Sequence, residues 1–180
     1  MILDHLLAVL LVPARPVEAP RFGDWEKVTS KFGTMLPSDY MAFIERYGTG
    51  TINDYLTVYN PFSANPNLNL VDQLFSNLSA LRETRLRDPA GCPYALFFEP
   101  GGLLPWGSSI DGDIYCWLTD HEISTYWKTV VWLRHGGTEL LPLQMTDFLL
   151  QGLQGKLCDT IFPSGYATAA EFSPTRPTIR

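Results

Sequence analysis

Residues 101–117 read GGLLPWGSSIDGDIYCW, and the fold class turns on whether this stretch is a chemical loop or a β-hairpin. A phosphate cradle needs GxGxxG or GxxxxGK[ST] running into a helix, so that backbone N–H groups meet the anion. Here the glycines run into strand-like residues with no lysine nearby. A serine nucleophile needs a GxSxG elbow and a base, yet Ile110 lies two after Ser108 and Asp111 two after Ser109. Turn serines that hydrogen-bond their own backbone account for the same residues. Asp111 and Asp113 lack the further oxygens and closing Glu of a calcium loop. Cys116 and His121 lack the second pair of ligands that zinc takes. No metal and no cofactor is therefore expected, while paired acids of the glycosidase kind stay open.

The hairpin reading uses more of the residues at once. Asp111-Gly112 is a favoured two-residue turn, because both residues tolerate positive φ. It joins a strand ending near Ser109 to one starting at Asp113. In the second strand Ile114, Cys116 and Leu118 alternate with Tyr115 and Trp117, so one set enters the core and the rings lie on the other face. Trp106 anchors the first strand.

Outward from the hairpin, YALFF at 94–98, LLPWG at 103–107 and YWKTVVWL at 126–133 are short β-like runs bounded by turn residues, as in an antiparallel meander. Ahead of them lie an N-terminal helix over 2–11, ended by PARPVEAP, and a helix from Asp24 to about Phe32. A further helix starts at LPSDY, with Leu36, Tyr40, Phe43, Ile44 and Tyr47 on one stripe, and Gly48 stops it. Residues 51–62 suggest a strand between turns. A long helix follows with Leu70, Leu74, Leu78 and Leu81 along one side. A last helix begins near Thr146-Asp147. The pattern predicts an α+β fold: a twisted, mostly antiparallel sheet with helices packed before and after it. Residues 1–162 are expected as a single domain with an extra N-terminal helix, and 163–180, rich in Ser, Thr, Pro and Ala, as a flexible tail.

At 180 residues the chain is long enough to bury roughly 70% of its unfolded surface without staples. Cys92, Cys116 and Cys158 form no CxxC pair and read as apolar residues in a reducing cytosol, so a cytoplasmic location is expected. Leu6 to Val12 is too short to span a bilayer and lacks the basic flank of a signal peptide. No membrane association is expected. The net charge of −6 argues against nucleic acid, whose phosphates require clustered Lys and Arg. All of the excess falls between Arg87 and Lys128, which holds Asp88, Glu99, Asp111, Asp113, Asp120 and Glu122 and no lysine or arginine. The remaining 13 acids and 13 bases cancel.

Two motifs in order, LPxDY with a trailing YGxG (Leu36, Pro37, Asp39, Tyr40, Tyr47, Gly48, Gly50) and the glycine-turn-tryptophan segment (Gly107, Asp111, Gly112, Trp117), resemble the SUKH superfamily over about Trp25 to Leu153. That family contains bacterial immunity proteins and a yeast cell-wall synthesis regulator. The resemblance implies an α+β fold without a catalytic centre. It also implies a protein that binds and neutralises a cognate bacterial toxin, often a nuclease; the family's partner surface varies, so none is carried over by position.

A nuclease toxin is basic, and aromatic anchors within an acidic rim are the ingredients of an interface. The expected contact residues are Glu99, Trp106, Asp111, Asp113, Tyr115, Trp117, Asp120 and Glu122, with the aromatics serving either the core or the partner. The alternatives are a scaffold or regulatory protein of cell-wall or signalling pathways, and an enzyme using His121 and nearby carboxylates.

Overall fold

The computed structural model describes residues 2–175. Its centre is the expected hairpin, β3 (Leu103–Ser109) with β4 (Ile114–Leu118), in antiparallel register. The turn differs from the two-residue form. Ser109 N–H donates to the Asp113 carbonyl at 3.0 Å across three intervening residues, and only Gly112 of these takes positive φ, at 96°. This is the three-residue loop that ends in a left-handed glycine. A second departure lies at Trp106, an extra residue between the pairs Pro105↔Cys116 and Gly107↔Tyr115. Such a bulge tolerates Pro105, which cannot donate to a ladder. Gly107 is required next to it, because a Cβ there would lie 2.6 Å from the Thr57 carbonyl oxygen.

The sheet extends on one side through β5 (Lys128–Trp132) to β6 (Thr138–Leu141). On the other it runs through β2 (Leu56–Val58) and β1 (Gly50–Ile52) to β7 (Phe172–Pro174). The order is β6-β5-β4-β3-β2-β1-β7, with every pairing antiparallel. The run read as one strand over 51–62 is therefore a hairpin, turned by Asn53 and Asp54 at φ 52° and 50°. The run YALFF forms no strand: Leu96 makes a single bridge to Leu103, and Phe98 sits at φ 78°.

The helices are α1 (Ile2–Val9), α2 (Asp24–Phe32), α3 (Ser38–Tyr47), α4 (Leu70–Arg87) and α5 (Met145–Leu153). α3 and α5 cover the sheet face carrying Trp106, Tyr115 and Trp117: Tyr40 meets Trp117 edge-on at 4.9 Å, and Phe148 meets both Trp106 and Tyr115. α4 packs on β3 with Leu70, Leu74, Leu78 and Leu81 buried. Because helices lie over it, all five residues of β4 are buried. Of the two roles expected for the rings, core or partner, the structure gives Tyr115 and Trp117 the first. Asp39 of the LPSDY motif does more than favour its own helix start. Its carboxylate accepts from Thr146 N–H at 3.0 Å and Thr146 Oγ1 at 3.1 Å, capping α5 from another element.

α1 rests on α5 and α3 through the fully buried Leu6 and Leu10, and Tyr47 Oη donates to the Leu10 carbonyl at 2.6 Å. Residues 163–175, expected within a flexible tail, pack back on the domain with Tyr166 and Phe172 buried and β7 paired to β1. Apolar residues spaced among the prolines supply the reason. The rest of the expected tail, 176–180, lies outside the described residues.

Candidate functional site

Three turns converge at one end of the sheet: Asn53-Asp54 between β1 and β2, Ile110–Gly112 between β3 and β4, and the C-terminal segment 159–171. Asn53 holds the last of these in place. Its Nδ2 donates to the carbonyls of Tyr166 and Ala169 at 2.7 and 2.8 Å, and its Oδ1 accepts from Glu171 N–H at 2.9 Å. Nothing in the sequence pattern marks Asn53 beyond its turn propensity.

Asp113 fixes the central turn. It is 7% exposed; Oδ2 accepts from Ser109 Oγ at 2.8 Å, and Oδ1 accepts from Arg134 N–H at 3.0 Å. The Ser109 hydroxyl in turn accepts from Asp113 N–H, the backbone role expected of a turn serine. Asp111, two residues earlier, is exposed, and its Oδ2 accepts from Tyr55 Oη at 3.1 Å. Burial is the main cause that pushes the Tyr55 phenol up to about 12, and the negative charge of Asp113 adds to it.

Two adjoining open hollows of ≈ 500 Å³ and ≈ 200 Å³ share Tyr55 and Pro163 in their walls. Asp54 and Glu171 line the larger, Asp111 and Asp159 the smaller, and all four carboxylates are on exposed residues. Ile110, 72% exposed, stands on the rim of the larger hollow. The basic groups nearby are Arg134, whose Nη1 donates to the Asp111 carbonyl at 2.8 Å, and His135. The arrangement is a shallow acidic surface with an apolar residue standing in it.

The other expected contact residues lie elsewhere. Glu99, Asp120 and Glu122 are exposed at the opposite end of β4. Five residues of strand separate the two ends, about 3.3 Å each. The segment without Lys or Arg in sequence meets such residues in space. Arg85 pairs with Glu99 at 3.1 Å, which is the main cause of that carboxyl's lowered pKa, and Lys128 pairs with Asp120 at 3.0 Å. Trp106, Tyr115 and Trp117 are 0% exposed. Their ring contacts are with one another, with Tyr40 and Phe148 of the helices, and with Phe162 and Trp127, so they cannot anchor a partner without unfolding the core.

His121 and Asp120 share an open hollow of ≈ 370 Å³ with Tyr126 and Lys128, but both already have other partners. His121 Nδ1 accepts from Ile123 N–H at 2.9 Å, and Asp120 faces Lys128. Ser109 lies at the far end of β4. Among the described residues no group of His, Cys, Asp and Glu is placed to hold a metal ion. Nor is any helix among them long and apolar enough to cross a membrane.

No curated protein and no solved structure matches the chain. A family model, SUKH_6, described as SMI1-KNR4 cell-wall, matches residues 23–149. The match takes in both motifs, the LPSDY helix start that caps α5 and the PWG bulge with its hairpin turn, and on that evidence the chain belongs to the SUKH family.

Proposed function

We propose that this protein neutralises a basic bacterial toxin by binding it, with no chemistry of its own, and that the turn end bearing Asp54, Asp111, Asp159 and Glu171 is the contact face. The observation that carries the reading is the gathering of four exposed carboxylates from three chain segments, the two hairpin turns and the C-terminal segment 159–171, around two adjoining hollows, with Ile110 among them. A nuclease that holds nucleic acid is basic, so such a face raises its association rate and suppresses wrong partners. Asp111 is kept from the sequence-derived set; Asp54, Asp159 and Glu171 join it, because folding rather than sequence brings them near. Three free cysteines fit action in a reducing cytosol.

The test uses the product of a toxin-like gene adjacent to this one. Combining Asp54→Lys, Asp111→Lys and Asp159→Lys weakens binding at least about tenfold and flattens its salt dependence. The pair Asp120→Lys and Glu122→Lys, at the other end of β4, changes affinity less than about threefold. The opposite ranking moves the contact face to that end. The description of the matched family favours a second reading, a regulator of cell-wall synthesis. Binding to a cell-wall synthesis protein, with no binding to any neighbouring toxin, would select it.

A further inference from the structure

α4 carries two stripes. Its leucines at 70, 74, 78 and 81 face the domain, while Asp72, Phe75, Ser79, Arg82 and Leu86 all lie on exposed positions. Their spacing, 3-4-3-4, is that of a coiled-coil seam. Phe75 is 60% and Leu86 78% exposed, one near each end of the helix. Phe98, 65% exposed, stacks on Phe75 at 6.4 Å from a backbone φ of 78°. A phenylalanine in the left-handed region costs about 1 kcal/mol that glycine or asparagine would not incur. In the free chain this unfavourable backbone places the ring against Phe75 and Phe97 with most of its surface still in water, and such outliers accompany binding surfaces.

We infer that α4 pairs antiparallel with α4 of a second copy across a two-fold axis. The seam is self-complementary in one register. Phe75 then meets Leu86 of the other copy at both ends, and Ser79 leaves room for the stem of the other copy's Arg82 at the two central layers. Arg82 forms no ion pair among the described residues, although it lies near enough to Glu99 to help hold that carboxyl below its usual value. The charges agree with the same direction. Asp72 is in the first turn of the helix and Arg85 and Arg87 are in its last, so an antiparallel partner brings unlike ends together. A parallel pair would bring like ends together. The 18 residues span about 27 Å, and Phe98 widens the apolar strip beyond the helix itself.

Sedimentation velocity on the full chain over a concentration series reads the outcome. The intact protein dimerises, and Phe75→Glu with Leu86→Glu weakens self-association at least about a hundredfold while the circular dichroism spectrum stays that of the parent; the parent's Tm rises with protein concentration and the variant's does not. A chain that stays monomeric at its highest soluble concentration overturns the inference, and so does a dimer that survives the double variant. Register is read by oxidation in a Cys158→Ser background. Phe75→Cys chains mixed with Leu86→Cys chains cross-link to each other. Neither does so alone, because identical positions are about 16 Å apart along the seam, beyond the roughly 7 Å that a disulfide spans. Efficient cross-linking of Phe75→Cys to itself would overturn the antiparallel arrangement.

Discussion

The residues just before and just after β4 include two carboxylates each, Asp111 with Asp113 and Asp120 with Glu122, and use them differently. At the start of the strand, Asp113 is buried and bonds a hydroxyl and an amide, while Asp111 stands above it on the surface. At the other end Asp120 and Glu122 are both exposed, and Asp120 has a lysine beside it. An aspartate enclosed with donors organises a turn, whereas one left in water beside a flexible lysine organises little. The difference comes from the loops. Ser109, Tyr55 and the 133–134 backbone close over the first end, while the 99–102 turn and the short 3-10 turn Ser124–Tyr126 flank the second and leave Asp120 and Glu122 exposed.

Replacing Asp113 with Ala is the strongest way to break this contrast. The change strands the Arg134 amide and the Ser109 hydroxyl, each a buried or half-buried group deprived of its acceptor. We expect a loss of about 3 kcal/mol in urea unfolding. A loss below about 1 kcal/mol would mean that water serves these donors as well as the carboxylate does.

Next in size is Asn53→Gly. Glycine keeps the left-handed backbone but deletes three side-chain hydrogen bonds to the segment 166–171. About 1–2 kcal/mol should be lost. Hydrogen exchange should quicken in β7 ahead of β3 and β4, which separates a local release from a global weakening.

The turn end should also respond to alkali. Tyr55 titrates at about 12 when folded and near 10 when unfolded, and Tyr47, raised by burial, does likewise. The stabilisation from keeping these phenols protonated is whole below pH 10. It falls as pH rises from 10 to 12, because the unfolded chain releases those protons first. Tm should therefore decline through that window, and Tyr55→Phe should make the decline shallower even where it lowers Tm at neutral pH by removing the bond to Asp111.

Much of this fold was legible in sequence because its signals were local. The leucine stripe of α4, the LPSDY start of α3 and the alternation in β4 each depend on residues within one or two turns of one another. The Asp-Gly hairpin was legible as a hairpin, but its three-residue form follows from the Ser109 and Asp113 pair, which propensity alone does not reveal. What failed was longer in range. The absence of Lys and Arg from 88–127 suggested one acidic face, yet a hairpin sends its two halves to opposite ends of the sheet and meets Arg85, Lys128 and Arg134 from flanking elements. Alternation in β4 suggested one exposed face, and only the placement of helices over both decides that Trp117 and Tyr115 are core. Asp54, Asp159 and Glu171 of the candidate face were invisible for the same reason, since nothing links residues a hundred apart until Asn53 and β7 bring the C-terminal segment back.

The smallest expected effect lies at the far end of the strand. Asp120→Asn removes one exposed ion pair whose lysine is 43% and aspartate 35% accessible. Holding two mobile side chains together opposes most of the Coulomb gain in water, so the change should cost at most about 0.5 kcal/mol and vanish in high salt. Glu122→Gln should match it in thermal melts. A loss of 2 kcal/mol or more at Asp120 would show that this end is organised by its charges as firmly as the Asp113 turn is. In that case the asymmetry between the ends would rest on exposure alone, and exposure would cease to be a guide to which carboxylates are free to meet a partner.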